Sequence, residues 1–157
     1  MSVTPIQPRA LTDLECGVIA KLLATGRSGA HDYLRQLPDA QVVATWGVGS
    51  PSVDVVIPAD VPAASDSTDG IFASGAVTDS GGVPVGEVIL WVEHGRLSGI
   101  EYAWYTDERP PTLPEPSQIE VFEAPTYATR LGPTVHPDSS WAETWSDRIG
   151  GGGMPTD

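Results

Sequence analysis

The chain of 157 residues has no asparagine, a single lysine (Lys21) and a single cysteine (Cys16). One cysteine excludes an internal disulfide framework and any thiolate-rich metal site. Basic side chains number 8 against 21 acidic ones, for a formal net charge of −13. That balance argues against binding DNA or RNA, because docking on a phosphate backbone needs a basic surface. Long apolar runs are missing too. The first apolar stretch, residues 11–24, is interrupted by Asp13, Glu15, Gly17 and Lys21, whereas about 18 unbroken apolar residues are needed to cross a bilayer. Residues 1–10 lack the basic-then-apolar pattern of a secretory signal. The expectation is a cytoplasmic protein with no membrane contact. Its richness in Ala, Val, Gly, Pro and Asp is that of a GC-rich coding sequence.

Constellations that carry chemistry are also absent. His31, His94 and His136 have no metal-ligand spacing. Cys16 falls inside the first apolar stretch, where it is expected to be buried and inert. Gly47-Val48-Gly49-Ser50-Pro51 lacks the final glycine of a nucleophile elbow, and Gly47-x-Gly49 does not extend to a dinucleotide fingerprint. A Walker lysine is missing. Asp66-Ser67-Thr68-Asp69-Gly70 has oxygen donors without the downstream glutamate of an EF-hand. No catalytic residue, cofactor or metal ligand is assigned, and a protein that is not an enzyme is expected.

What is present is enough for one folded domain. The chain is 40% hydrophobic, and at this length a domain buries about two-thirds of its surface. Thr12-Asp13-Leu14-Glu15 is a capping box, and Leu14, Val18 and Leu22 with Ile19 and Leu23 form an apolar helical stripe ending at Gly26. A second helix is predicted from Ser28, turning Ala30, Tyr33, Leu34 and Leu37 inward and ending before Pro38, with His31 exposed. Strands are predicted over 41–46, 52–57, 72–79, 85–93 and 96–105, with a short extra strand at 118–123 as an option. The fold class is therefore α+β: two N-terminal helices on one face of an antiparallel, mainly meander sheet of about five strands. Residues 1–10 read as an N-terminal arm and 11–123 as the domain. Residues 124–157 read as a Pro/Gly-rich tail, largely disordered, with a short helix at 141–149.

The hairpin over 85–105 turns at His94-Gly95, and glycine at the second position suits a type I′ turn. A regular ladder from that turn places Glu93 opposite Arg96 as an exposed ion pair, Val92 opposite Leu97, Leu90 opposite Gly99, and Val88 opposite Glu101. This aliphatic face is predicted to lie beneath the helices, with Glu101 at its margin. The second face then holds Trp91 with Ser98, Ile89 with Ile100, Glu87 with Tyr102, and Trp104. Glu87 and Glu101 point to opposite faces in this register, so they share neither a proton nor a metal. Residues 1–50 are charge-balanced, so the whole net charge lies after residue 50. Aromatic side chains set among acids suit a surface that meets a basic partner. The candidate partner-binding residues are Glu87, Trp91, Tyr102, Trp104, Asp107 and Glu108.

The run Trp46-Gly47-x-Gly49-Ser50-Pro51-Ser52-Val53-Asp54 carries a resemblance. So does Gly86-Glu87-Val88-x-Leu90-Trp91-Val92-x-x-Gly95-Arg96-Leu97-Ser98-x-x-Glu101-Tyr102-Ala103-Trp104-Tyr105-Thr106-Asp107-Glu108. Together they resemble a group of small, uncharacterised actinobacterial proteins over roughly Leu11 to Phe122. The resemblance implies a shared fold and no activity, so no site is carried over. In scale and style the chain also resembles immunity proteins of bacterial toxin systems. Three functions follow for test: a non-enzymatic inhibitor of a basic toxin, a small-molecule-binding or accessory domain with a pocket between helices and sheet, and, with least support, a hydrolase. A homodimer through a free sheet edge stays open.

Overall fold

Helix α1 (Asp13–Leu23) starts at the predicted cap. The Thr12 hydroxyl accepts from the Glu15 N–H at 3.1 Å, and the Thr12 N–H donates to Glu15 Oε1 at 2.8 Å. Glu15 also receives both Nη atoms of Arg9 at 2.9 Å. Burial opposes ionisation of Glu15, but the bonds from Arg9 and Thr12 outweigh it and hold the carboxyl below its ordinary range. Arg9 sits on strand β1 (Thr4–Ala10), so one carboxylate both caps the helix and fastens the preceding strand.

This computed structural model describes residues 3–25, 27–65 and 69–122. The predicted tail and its helix at 141–149, His136 and the stop at Gly26 lie outside the described residues. Helix α2 spans Ala30–Leu34, and a 3-10 turn, Leu37–Asp39, takes the chain past Pro38. The strands that follow are β2 (Gln41–Thr45), β3 (Val53–Val56), β4 (Gly70–Thr78), β5 (Pro84–Glu93), β6 (Arg96–Trp104) and β7 (Ile119–Val121). They form one seven-stranded sheet in the order β1-β2-β3-β6-β5-β4-β7, with every described pairing antiparallel.

The α+β class and the antiparallel sheet agree with the sequence reading; the five-strand meander needs correction. Two three-stranded meanders stand edge to edge, with β3 beside β6, and β7 extends the second. Residues 1–10, read as an arm, hold edge strand β1. Pro5 and Pro8 hide its strand character, and an edge is where proline is tolerated. Val18, Ile19, Leu22 and Leu23 of α1 and Tyr33 of α2 join one sheet face in a single buried cluster with Val42, Val88, Leu90, Leu97 and Ile100.

The hairpin between β5 and β6 reverses at His94 (φ 55°) and Gly95 (φ 76°), the two left-handed residues of a type I′ turn. Glu93 faces Arg96 and Val92 faces Leu97, as the ladder from the turn requires. One step on, the register shifts: Trp91 faces Gly99, leaving Ser98 as an extra residue on β6. Every later pair is displaced by one. Leu90 faces Ile100, Ile89 faces Glu101, Val88 faces Tyr102, and Glu87 faces Ala103. Because side chains alternate between faces, this bulge moves Tyr102 into the core and Glu101 out of it.

A buried amide secures the turn. Gln36, fully buried, donates through Nε2 to the Gly95 carbonyl at 2.9 Å and to the Pro62 carbonyl at 3.2 Å. Its Oε1 accepts from the Leu97 N–H at 3.0 Å. The Ala64 N–H also donates to the Gly95 carbonyl, at 2.7 Å. A Cβ at Gly95 would lie 2.9 Å from the Ala64 carbonyl oxygen, so glycine is needed for this approach as well as for the turn. Arg96 does not pair with Glu93 as expected; its guanidinium donates to the carbonyls of Ala59 and Val61 and pins the same loop. Replacing Gln36 with alanine leaves the Leu97 N–H buried without its acceptor. In urea unfolding, Gln36→Ala is expected to cost about 2–3 kcal/mol, whereas His31→Ala, at an exposed site, changes stability by less than about 0.5 kcal/mol. Equal costs for the two would contradict this role.

Candidate functional site

Alternation along β3, β5 and β6 builds the sheet face opposite the helix-packed one. There two indoles meet two carboxylates. Trp46 Nε1 donates to Asp54 Oδ1 at 2.9 Å, and Trp91 Nε1 donates to Glu101 Oε1 at 3.1 Å. Asp54, Gly99 and Trp91 are successive cross-strand neighbours, so the pairs lie side by side. At Gly99 a Cβ would sit 3.1 Å from the Val53 carbonyl oxygen, with Asp54 Oδ1 at 3.8 Å and a ring carbon of Trp46 at 3.9 Å. The sequence reading placed Glu87 and Glu101 on opposite faces. The extra residue at Ser98 puts them on the same face, diagonal across β5 and β6. Burial pushes the Glu101 carboxyl up to about 7, against the lowering effect of the Trp91 N–H.

The six candidate partner-binding residues divide accordingly. Glu87 is buried on the indole–carboxylate face, and Trp91 is half-buried beside it. Tyr102 is buried in the core, where burial raises its phenol above the ordinary value. Trp104 remains 38% exposed at the end of β6, and Asp107 and Glu108 are exposed in the segment that follows. The structure thus brings Trp104, Asp107 and Glu108 together at one end of the sheet. Trp91 lies further along β5, and Glu87, opposite Ala103, is buried on the other, indole–carboxylate face.

Three apolar side chains missed in the sequence complete the surface. Tyr105 is 50% exposed, Val83 56% and Val48 80%. The Tyr105 N–H donates to the Val85 carbonyl at 2.8 Å, which aligns the exit from β6 with the start of β5. Arg109 reaches across to the Val48 carbonyl at 2.9 Å and ties this segment to the loop between β2 and β3. The turn before β5 is closed by Asp79, which accepts from the N–H groups of Gly81 at 2.8 Å and Val83 at 3.0 Å. The segments are therefore fastened to the sheet and to one another, and the result is an apolar and aromatic end bordered by carboxylates. The run Trp104-Tyr105-Thr106-Asp107-Glu108 was a legible signal for it, whereas Val48 between two glycines was not.

Cys16 is half-buried rather than buried; burial first, then the charges of Asp13 and Glu15, push its thiol pKa up and disfavour the thiolate. Among the described residues no three His, Cys, Asp or Glu side chains group closely enough to hold a metal ion. Nor is any helix among them long and apolar enough to cross a membrane. The chain matches no protein-family model, no curated protein and no solved structure. The fold and the arrangement of this surface are therefore the basis for a functional reading.

The surface depends on close backbone approach at Gly86, opposite Trp104. A Cβ there would lie 2.5 Å from the Ala103 carbonyl oxygen and 3.0 Å from Trp104 Cα and from a ring carbon of Tyr102. Gly86→Ala is expected to push β5 and β6 apart at the exposed end, lowering stability by about 2 kcal/mol and altering the near-ultraviolet circular dichroism of the aromatics. An unchanged melt and spectrum would show that the strands do not meet there as described.

Proposed function

We propose that this is a non-enzymatic, cytoplasmic binding protein whose aromatic and acidic sheet end covers a basic site on a partner protein, in the manner of an immunity-type inhibitor of a bacterial toxin. The observation that carries the reading is the exposure of Trp104 beside Asp107 and Glu108. Large aromatic side chains anchor interfaces because they remove much apolar area from water at small conformational cost. Carboxylates around them select a basic partner and speed its approach. Val48, Val83 and Tyr105 enlarge the apolar area. The excess of acid after residue 50 gives the long-range field the sign such a partner requires.

The test is capture from the native host with the full chain as bait, identification of the bound protein by mass spectrometry, and calorimetry with that purified protein. A basic partner is expected. Trp104→Ala is expected to weaken it by about tenfold or more while leaving the melting temperature of the free protein nearly unchanged. The double variant Asp107→Asn, Glu108→Gln is expected to slow association and flatten its salt dependence. Undiminished affinity in both variants would remove this surface from the interaction.

A further inference from the structure

Glu101 occupies an unusual position for a carboxyl group. It lies mid-strand on β6, flanked by β5 and β3, and among the described residues its hydrogen-bond donor is the neutral indole of Trp91 at 3.1 Å. The described ionisable groups facing it from the neighbouring strands are acids: Glu87 diagonally on β5 and Asp54 on β3. On β4 this face includes Ile71, Ser74 and Ala76, and on β7 the exposed Glu120. Asp54 already accepts from Trp46. No described arginine or lysine forms an ion pair with Glu101.

We propose that Glu101 and Trp91 form a proton-operated latch between β5 and β6, closed when the carboxyl is neutral and loosened when it ionises. The physical basis is the cost of burying a charge that no cation among the described residues pairs with. An indole N–H stabilises the carboxylate only partly, and burial opposes it more strongly. A neutral carboxyl has no such penalty and still accepts from the indole. On ionisation the carboxylate gains most by turning toward water, which breaks its hydrogen bond with the Trp91 indole. The position of the titration near 7 supports this reading. Because the folded-state value lies above that of an unfolded glutamate, the stabilisation is fully present below the ordinary carboxylate range and is lost as pH rises through about 7. The latch does not depend on the identity of any partner.

The full chain supplies its own reporter. Tryptophan emission of the wild type, followed from pH 5 to 9, is expected to show a transition near pH 7 that is absent in Glu101→Gln and in Trp91→Phe. Contributions from other groups are common to the wild type and Glu101→Gln, so the difference between the two curves isolates the carboxyl. Carbon-13 spectra of the glutamate side-chain carboxyls in the wild type read the same event without a substitution. A Glu101 resonance titrating near neutral pH, together with an emission transition lost in both variants, supports the latch. A Glu101 resonance that titrates in the ordinary acidic range, or an unchanged emission transition in Glu101→Gln, overturns it.

Discussion

The hydrogen bonds that Gln36 makes to the β5–β6 turn are the constraint on which most of the structure rests. One side chain accepts from the Leu97 N–H and donates to the Gly95 and Pro62 carbonyls. It thereby joins the segment after α2, the long connection from β3 to β4, and the tip of the central hairpin. An amide is suited to this because it donates and accepts at once, and its burial is tolerable because both ends are used. With the turn fixed, the hairpin has little freedom to slide. The only adjustment is the extra residue at Ser98, and that residue decides which side chains face the helices and which do not.

The consequences divide the aromatic residues by role. Tyr102 contributes bulk to the core alongside Val88 and Leu90. Trp46 and Trp91 are donors to carboxylates on the other face. Trp104 and Tyr105 keep much of their surface in water. The sequence resolves none of these differences by composition, since all five are large aromatic residues in or beside strands. Register and distance from the helix layer separate them. An aromatic and acidic face does exist opposite the helices, but its members are Trp46, Asp54, Trp91, Glu101 and Glu87, and the exposed surface is a different place at the sheet end.

What was legible in the sequence was local. The capping box at Thr12 to Glu15 needs only four residues, and the stripe from Val18 to Leu23 needs only helical periodicity. The turn at His94-Gly95 follows from glycine in a two-residue loop. What was not legible depended on partners distant in the chain. Ser98 carries no mark of a bulge, because any residue can serve as the extra one. Gln36 reads as an ordinary polar residue between Arg35 and Leu37, and its value appears only once the turn 59 residues later is brought against it. The prolines of β1 conceal an edge strand that Arg9 fastens to Glu15. For the site, Trp104, Asp107 and Glu108 were readable as one exposed run, whereas Tyr102 and Glu101 were misplaced by the single-residue offset.

That offset is the central claim, and cross-strand backbone nuclear Overhauser effects measure it most directly. In uniformly labelled full-length protein, the account predicts contacts linking Val88 with Tyr102 and Ile89 with Glu101, together with Val92 opposite Leu97 next to the turn. Contacts linking Val88 with Glu101 and Ile89 with Ile100 would mean an unbroken ladder. Such a ladder would return Tyr102 and Glu101 to each other's faces and contradict the arrangement on which both the surface and the latch are built.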